Sequence, residues 1–531
     1  MSELLVDVSL YGKKVGVLTW NSKRQMGEFQ FYTDYLKNGW DLAPLVMPLD
    51  KVSAADVFVF PENRNACFSG LPGFVADALP DRYGTKIIDT WFSTYGLSGT
   101  SITPLDRLCY IGRRAMGALE FEPFHSIRGL DESTILRMDC LVDLADEVFR
   151  NREAFQNSIL QEDKTILDIL KIGTSAGGAK PKAIIALDEK NNIIRSGQVK
   201  APEGFTYWLL KFDGTVFNEN GYTIEHPKGI GNIEYAYYKM AVDCGIDMAE
   251  SRLLTERDAC HFMTKRFDRT DNGDKIQMQT LAAMAHYDRD ELHSYEEGFK
   301  IMRTLNLPYN SMEQFFRRMV FNVVARNHDD HTKNHSFLMD RRGRWSLAPA
   351  YDLCYSYSPE GRWTSVHQMC INGKRDNFTW DDLSVTGKRM DINQPDNIIA
   401  GIVDVVSRWR DYAKDCGVHE NHAVLIEKNL ILWSDKNLTE KIEDTTQQIT
   451  DNRHEIKNII IFESAGGVYK IRCKIDGEQK MGVPLDTKDS IKWNLMKMTG
   501  NKENLDTFKK TMVEKHFKGD LAELSRKGRR L

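Results

Sequence analysis

The sequence predicts an α+β protein made of several packed units, β-rich before about residue 280 and mainly helical after it. Three observations support this. A chain of 531 residues is too long for one hydrophobic core, so about two to four units are expected. The apolar fraction of 41% and charged fraction of 28% are those of an ordinary globular protein, which argues against large-scale disorder. The apolar period also changes along the chain. Early runs such as "VDVSLYGKKVGVLTW" alternate about a Gly-containing turn, as hairpins do, whereas "SMEQFFRRMVFNVVARN" repeats Phe315, Phe316, Met319, Val320, Val323 and Val324 at helical spacing.

Residues 1–125 form a small α/β unit. Within it, 68–84 ("FSGLPGFVADALPDRYG") reads as a helix entered through Pro72 and left at Pro80, and 106–123 as a helix, a Gly-bearing turn and a strand. From 126 to 170 the pattern is amphipathic and helical, as in "ILRMDCLVDLADEVF". A Gly-rich loop, "GTSAGGAKPK" (173–182), leads into a strand at Ala183 to Leu187, a turn at "EKNN" and another strand. "FTYWLLKFDG" is a third strand, "NIEYAYYKMAVDCG" a helix, and "HFMTKRFDRT" a strand with its exit loop. "HSFLMDRRGRWSLAP" (335–349) reads as a hairpin about "DRRG". In the last ninety or so residues, "IIIFESAGGVYKIRCKIDGEQKMGVPL" suggests two or three strands, and "DSIKWNLMKM" and "LDTFKKTMVEKHF" suggest helices.

With 71 basic and 76 acidic residues, the net charge of -5 gives no global field toward nucleic acid or anionic lipid. Nine cysteines with no Cys-x-x-Cys pair read as buried thiols in a reducing compartment. The start lacks a secretory core and no stretch is long and apolar enough to span a bilayer, so a cytoplasmic protein is expected.

The densest chemistry lies in "NHDDHTKNH" (327–335), with three histidines and two aspartates in nine positions. One reading is a zinc or iron site through His328, His331 and His335. It lacks the glutamate of a His-Glu-x-x-His helix, and "DDHTKN" is poor in helix formers. In the other reading the oxygen-bearing side chains do the work. Asp329 leaves the preceding helix, and Asn334 follows five residues later. The hairpin then returns the chain, so that the partner of Asn334 falls near residue 349 and Asp352 lies a few residues beyond. An amide oxygen beside a carboxylate suits Mg²⁺, and Asp329 remains to accept a hydroxyl proton. That is the layout of a kinase catalytic loop. Upstream, the small residues of 173–182 let backbone N–H groups approach phosphate, with Lys180 or Lys182 adding charge. Lys211, at the end of an apolar strand, needs a counter-charge that nucleotide phosphates would supply, and Glu234 could orient it.

These motifs resemble the HipA-like serine/threonine kinases, the toxin components of bacterial HipA–HipB toxin–antitoxin modules. "GLPGFVADALPD" and "LCYIGRRAMGALEFEP" are similar to that family's N-terminal subdomain. "TSAGGAKPK", "WLLKFD", "TKRFDR", "DDHTKNHSFL" and "LAPAYDL" follow in the order of its nucleotide and catalytic motifs. The resemblance covers about residues 1–430. It implies an α+β, atypical two-lobed protein-kinase-like fold: an N-terminal subdomain (1–125), a β-rich N-lobe (126–275), a mainly helical C-lobe (276–437) and a C-terminal α/β extension of unknown role (438–531). It further implies Asp329 as general base and Asn334 with Asp352 as Mg²⁺ ligands. ATP would be held by Gly177, Gly178, Ala179, Lys180, Pro181 and Lys182 in the phosphate loop, by Lys211, and by Lys265, Arg266 and Phe267 at the adenine-facing hinge. His331, Thr332, Lys333, Asn334, Tyr351 and Asp352 would line the same pocket.

Ser175 would be autophosphorylated, its added charge expelling the loop from the ATP site. Partners implied are a protein target, such as an aminoacyl-tRNA synthetase, and a separate HipB-like DNA-binding antitoxin through which any contact with DNA would run. The alternative is a kinase fold that has lost turnover and acts as a partner-bound regulator. Two positions depart from the family's usual pattern: Asp330 stands where a smaller residue is common, and His335 where an aromatic is common. The basic end "SRKGRRL" reads as a solvated tail.

Overall fold

The computed structural model describes residues 4–94, 102–123, 133, 135–136, 182–214, 216–219, 222–225, 228–256 and 259–433, together with strands at 456–464, 468–475 and 478–481. Two compact units emerge, Met1–Leu432 and Trp433–Leu531.

The larger unit begins with strands β1 (Val6–Leu10), β2 (Lys13–Asn21) and β3 (Met26–Phe31). These are joined by β4 (Leu119–Glu122) into an antiparallel sheet of order β3-β2-β1-β4. Their inward residues, including Val6, Val8, Leu10, Phe29 and Phe121, are fully buried, and the same core takes in Ala282 and Met339 from much later in the chain. The helix expected between Pro72 and Pro80 is present as the short α1 (Gly73–Ala76), and a second helix not read from the sequence, α2 (Arg82–Thr94), follows it. The break has a local cause. Asp81 accepts from the N–H of Gly84 at 2.6 Å, so it caps the start of a new helix just after Pro80 instead of ending an old one. Helix α3 (Pro104–Ile111) starts at a Thr103/Asp106 capping box.

Next comes a six-stranded antiparallel sheet of order β9-β10-β8-β6-β7-β5. It is built from β5 (Ile135–Leu136), β6 (Lys182–Asp188), β7 (Ile193–Ser196), β8 (Thr206–Lys211), β9 (Ser251–Glu256) and β10 (Ala259–Lys265). Ile135 and Leu136, expected to open an amphipathic helix, instead pair with Arg195 and Ile194. Leu136 is buried with Ile185, Ile194, Trp208 and Met263, and this packing overrides local helical periodicity. The rest of the helical expectation over 126–170 lies outside the described residues. Helix α4 (Ile230–Asp243) crosses the sheet. Its N-terminus is capped from a distance: the Asp213 carboxylate accepts from the N–H groups of Gly229, Ile230 and Gly231 at 2.9–3.3 Å.

Beyond residue 280 helices dominate, with short strands at the entrance. Strand β11 (Gln277–Thr280) leads into α5 (Leu281–Ala285), followed by α6 (Tyr295–Thr304) and α7 (Tyr309–Val324). All six apolar α7 residues named from the sequence are buried. The hairpin β12 (Ser336–Met339) and β13 (Trp345–Leu347) pairs Phe337 with Leu347 and adds to β11. Among the described residues no helix is long and apolar enough to cross a membrane. The second unit contains a three-stranded antiparallel sheet, Ile456–Ser464, Val468–Ile475 and Glu478–Met481, where two or three strands were expected. The two helices expected after it lie outside the described residues.

Candidate active site

Helix α7 delivers the chain into the His/Asp-rich loop through a tight C-terminal turn. Arg326 takes a left-handed conformation (φ +57°), and the N–H of Asn327 donates to the carbonyl of Asn322 at 2.9 Å, as in a Schellman motif. Residues 328–331 have no regular structure, and a single 3₁₀ turn, Thr332–Asn334, entered through an extended His331, returns the chain to β12. Asp329 projects outward, its side chain 53% exposed, with His331 Nε2 at 3.6 Å from Oδ1. Its backbone is fixed on both sides: the N–H donates to Ser356 Oγ at 2.9 Å, and the carbonyl accepts from Asn334 Nδ2 at 2.6 Å. A carbonyl can only accept, so the Asn334 amide must present nitrogen there, which turns its Oδ1 to the opposite side.

The histidines serve three separate places. His335 lies between the rings of Tyr295 and Phe315, at 5.6 and 5.0 Å. His328 packs on His367 at 4.1 Å and on Tyr357 at 4.8 Å. Burial pushes His328 and His335 down to about 3, with Arg326 and Arg318 respectively adding to the effect, so both are neutral aromatic packers near pH 7. His331 stays beside Asp329. Among the described residues no group of three or more His, Cys, Asp or Glu side chains is arranged to hold a metal ion, so the three-histidine centre does not form.

The hairpin brings Asp352 back toward this loop. Ala348 N–H donates to the Ser336 carbonyl at 2.9 Å, close to the register read from the sequence. Asp352 itself is left-handed (φ +54°), a conformation that aspartate tolerates better than most residues. Its carboxylate contacts the ammonium of Lys211 at the end of β8, and Lys211 also contacts Glu234 on α4. Lys211 and Glu234 are largely buried. Burial alone would discharge Lys211, but Asp352 and Glu234 outweigh it and raise its pKa.

The remaining expected residues take distinct positions. Lys182 is opposite Lys211 in the β6–β8 register, and its ammonium lies 3.4 Å from Asp81 in a buried pair. Lys333 donates to the Cys67 carbonyl at 3.1 Å. Asp77 accepts from Thr280 N–H at 2.6 Å. The N-terminal subdomain thus touches both sides of the site through α1 and the turn before α2. Tyr351 donates to the Lys333 carbonyl at 2.7 Å, and its ring lies 5.5 Å from that of Phe267. Thr332 is buried, its hydroxyl 3.3 Å from the Tyr287 carbonyl. In the hinge, Lys265 pairs with Asp271 at 3.0 Å, while Arg266 is buried in a bidentate pair with Asp268 at 2.8 and 2.7 Å. Asp268, flanked by Arg266 and Arg269, is held well below the usual carboxylate range although burial opposes this. Gly177, Gly178, Ala179, Lys180, Pro181 and Ser175 lie outside the described residues. Asp81, Cys67 and His367 were missed by sequence reasoning. Asp81 had only its place before a helix start to mark it, and the other two had no local signal.

A β-rich lobe whose buried lysine meets a helix-borne glutamate, set over a helical lobe carrying Asp329, Asn334 and Asp352, defines a protein with a kinase-like fold. Residues 6–122 match the family described as HipA N-terminal domain, and residues 174–416 match the HipA-like C-terminal domain. The chain belongs to the HipA-like family. Over 141 residues it is 30% identical to "Putative kinase Y4dM" of Sinorhizobium fredii (strain NBRC 101917 / NGR234). That match covers 24% of this chain and 34% of the relative, so the chain spans about a third of that protein's length. A solved structure titled as the Shewanella oneidensis MR-1 toxin–antitoxin system HipA, HipB and its operator DNA complex aligns with a TM-score of 0.52 at 16% identity. The alignment covers 83% of this chain and 95% of the other. At that identity the likeness is one of fold.

Proposed function

We propose that this chain is an ATP- and Mg²⁺-dependent serine/threonine protein kinase of the HipA type. The observation that carries the reading is the contact of Lys211 with both Glu234 and Asp352, next to a loop that presents Asp329 and Asn334. The donor set fits the ion: Asn334 Oδ1 and the Asp352 carboxylate are hard oxygen ligands of the kind Mg²⁺ prefers. ATP with Mg²⁺ would supply the phosphoryl group and neutralise its charge. Lys211 has three donors, so it can hold Glu234 and reach phosphate oxygens as well. Asp329, exposed and next to the loop's turn, receives the proton of the target hydroxyl as its oxygen bonds to the γ-phosphorus and ADP leaves. Lys265 to Phe267, Tyr351 and Thr332 are the proposed lining of the nucleotide space, and Gly177 to Pro181, just before β6, the proposed phosphate loop.

Ser175 is the proposed site of autophosphorylation. The proposed protein target is a translation component such as an aminoacyl-tRNA synthetase, which rests on family resemblance alone. A HipB-like antitoxin on a separate chain is the proposed partner, in keeping with the Shewanella complex.

The test is incubation of phosphatase-treated protein with labelled ATP and Mg²⁺. Label on Ser175 in the wild type and none in Asp329→Ala supports the kinase. A wild type that binds ATP but acquires no label overturns it in favour of a binding and regulatory role.

A further inference from the structure

Asp330 is the second aspartate of the His/Asp-rich loop. It is as buried as Asp329 is exposed, its side chain 0% accessible. Its carboxylate accepts three hydrogen bonds: from Tyr295 Oη at 2.9 Å, from His367 Nδ1 at 3.0 Å and from the Gln368 N–H at 2.7 Å. Burial would raise its pKa, but His367 and these donors outweigh burial and lower it, so Asp330 is ionised.

The contacts continue as a closed circuit. Tyr295 Oη accepts from Asn322 Nδ2 at 2.9 Å, and Asn322 Oδ1 accepts from Asn327 Nδ2 at 2.9 Å. Asn327 Oδ1 accepts from Ser356 Oγ at 3.0 Å, and Ser356 Oγ accepts from the N–H of Asp329 at 2.9 Å. Asn327 Nδ2 also lies 3.4 Å from the Asp352 carbonyl. The circuit therefore runs from Asp330 through α6 and α7 and back to the backbone of Asp329, passing beside Asp352 on the way. It also clasps the segment after Asp352 at two points, Ser356 near its start and His367–Gln368 at its end. Between them no residue is buried, and Trp363 is 45% accessible.

We propose that Asp330 is a positioning residue of the phosphotransfer site: its buried carboxylate locks the catalytic loop to segment 352–368 and so fixes Asp329 relative to Asp352. The proposal rests on the kinase reading for its catalytic consequence, but the lock itself can be measured without turnover. A misplacement of about 1 Å in a catalytic group can cost on the order of 100-fold in rate.

Asp330→Asn retains the shape but sets an amide N–H₂ against one of its three donors. Its kcat is expected to fall on the order of 100-fold with a much smaller change in KM for ATP, because Lys211 and residues 265–267 lie outside the circuit. Tyr295→Phe removes one donor at little change in volume and is expected to give a smaller fall of the same kind. Hydrogen–deuterium exchange supplies the second readout. In Tyr295→Phe, amides of 327–334 and 352–368 are expected to lose protection together, with α4 and the six-stranded sheet unchanged. The proposal is overturned if kcat and KM for ATP move together, if kcat does not change, or if only one of the two segments loses protection. A wild type that transfers no phosphate refutes the kinase reading, and in that case the exchange result alone decides the lock.

Discussion

The lysine cluster and the histidine-rich loop face each other across the same site and handle buried charge in opposite ways. At Lys211 the charge is kept and matched: Glu234 and Asp352 hold a buried ammonium protonated against the pull of burial. In the loop charge is mostly removed, since His328 and His335 are pushed down to about 3 and serve as neutral rings. Asp330 in the same loop keeps its charge because hydrogen-bond donors are supplied to it. The difference teaches that the density of ionisable residues in a motif does not measure the charge of the site. Two of the loop's three histidines contribute no charge near pH 7, whereas three residues scattered over the sequence supply the charged cluster.

The largest expected effect tests the loop's one exposed acid. Asp329→Ala should lower phosphate transfer by about 10² to 10⁴-fold, the usual range for a general base, while thermal stability stays near wild type. Stopped or steady-state phosphoryl transfer beside a melting curve checks both halves.

Lys211→Met breaks the other side. It leaves two carboxylates next to each other without their cation, and breaking a buried pair costs about 3 to 5 kcal/mol in denaturant unfolding. The sign with pH is fixed. Two carboxylates left without their cation repel each other, and lowering the pH relieves that repulsion. The deficit relative to wild type should therefore shrink between pH 7 and pH 5.

The neutral histidines give an opposite slope in the wild type. His286 is pushed down to about 4, chiefly by burial, and His328 and His335 to about 3, against about 6.5 in an unfolded chain. The unfolded chain binds protons that the folded one refuses, so stability is full above pH 6.5 and falls as pH drops toward 4. Each site contributes a slope of up to about 1.4 kcal/mol per pH unit. A flat profile over that window would contradict the neutral assignment.

The smallest effect sharpens the same point. Neither ring nitrogen of His335 has a hydrogen-bond partner among the described residues, and the ring sits between two aromatics. His335→Phe should stabilise by about 1 kcal/mol and reduce the acid slope, as differential scanning calorimetry at pH 5 and pH 7 would show.

Much of the C-lobe was legible because its signals are local. The apolar period of α7 gave its buried face, and equal spacing about the turn "DRRG" gave, to within about a residue, the register that pairs Phe337 with Leu347. Contacts fixed by long-range packing were not legible. Nothing near Asp81 announces Lys182, nothing near Cys67 announces Lys333, and a lone His367 in an irregular segment gives no sign of meeting Asp330. Local reading also failed where tertiary burial overruled periodicity, at Ile135 and Leu136, and it missed the helix that Asp81 caps after Pro80.

The most direct test is a crystal structure of the chain with a non-hydrolysable ATP analogue and Mn²⁺ in place of Mg²⁺, located by anomalous scattering. The account predicts a peak bound by Asn334 Oδ1 and the Asp352 carboxylate, with Lys211 on the nucleotide's phosphates. A peak coordinated elsewhere, with nucleotide bound away from Lys211, would contradict it.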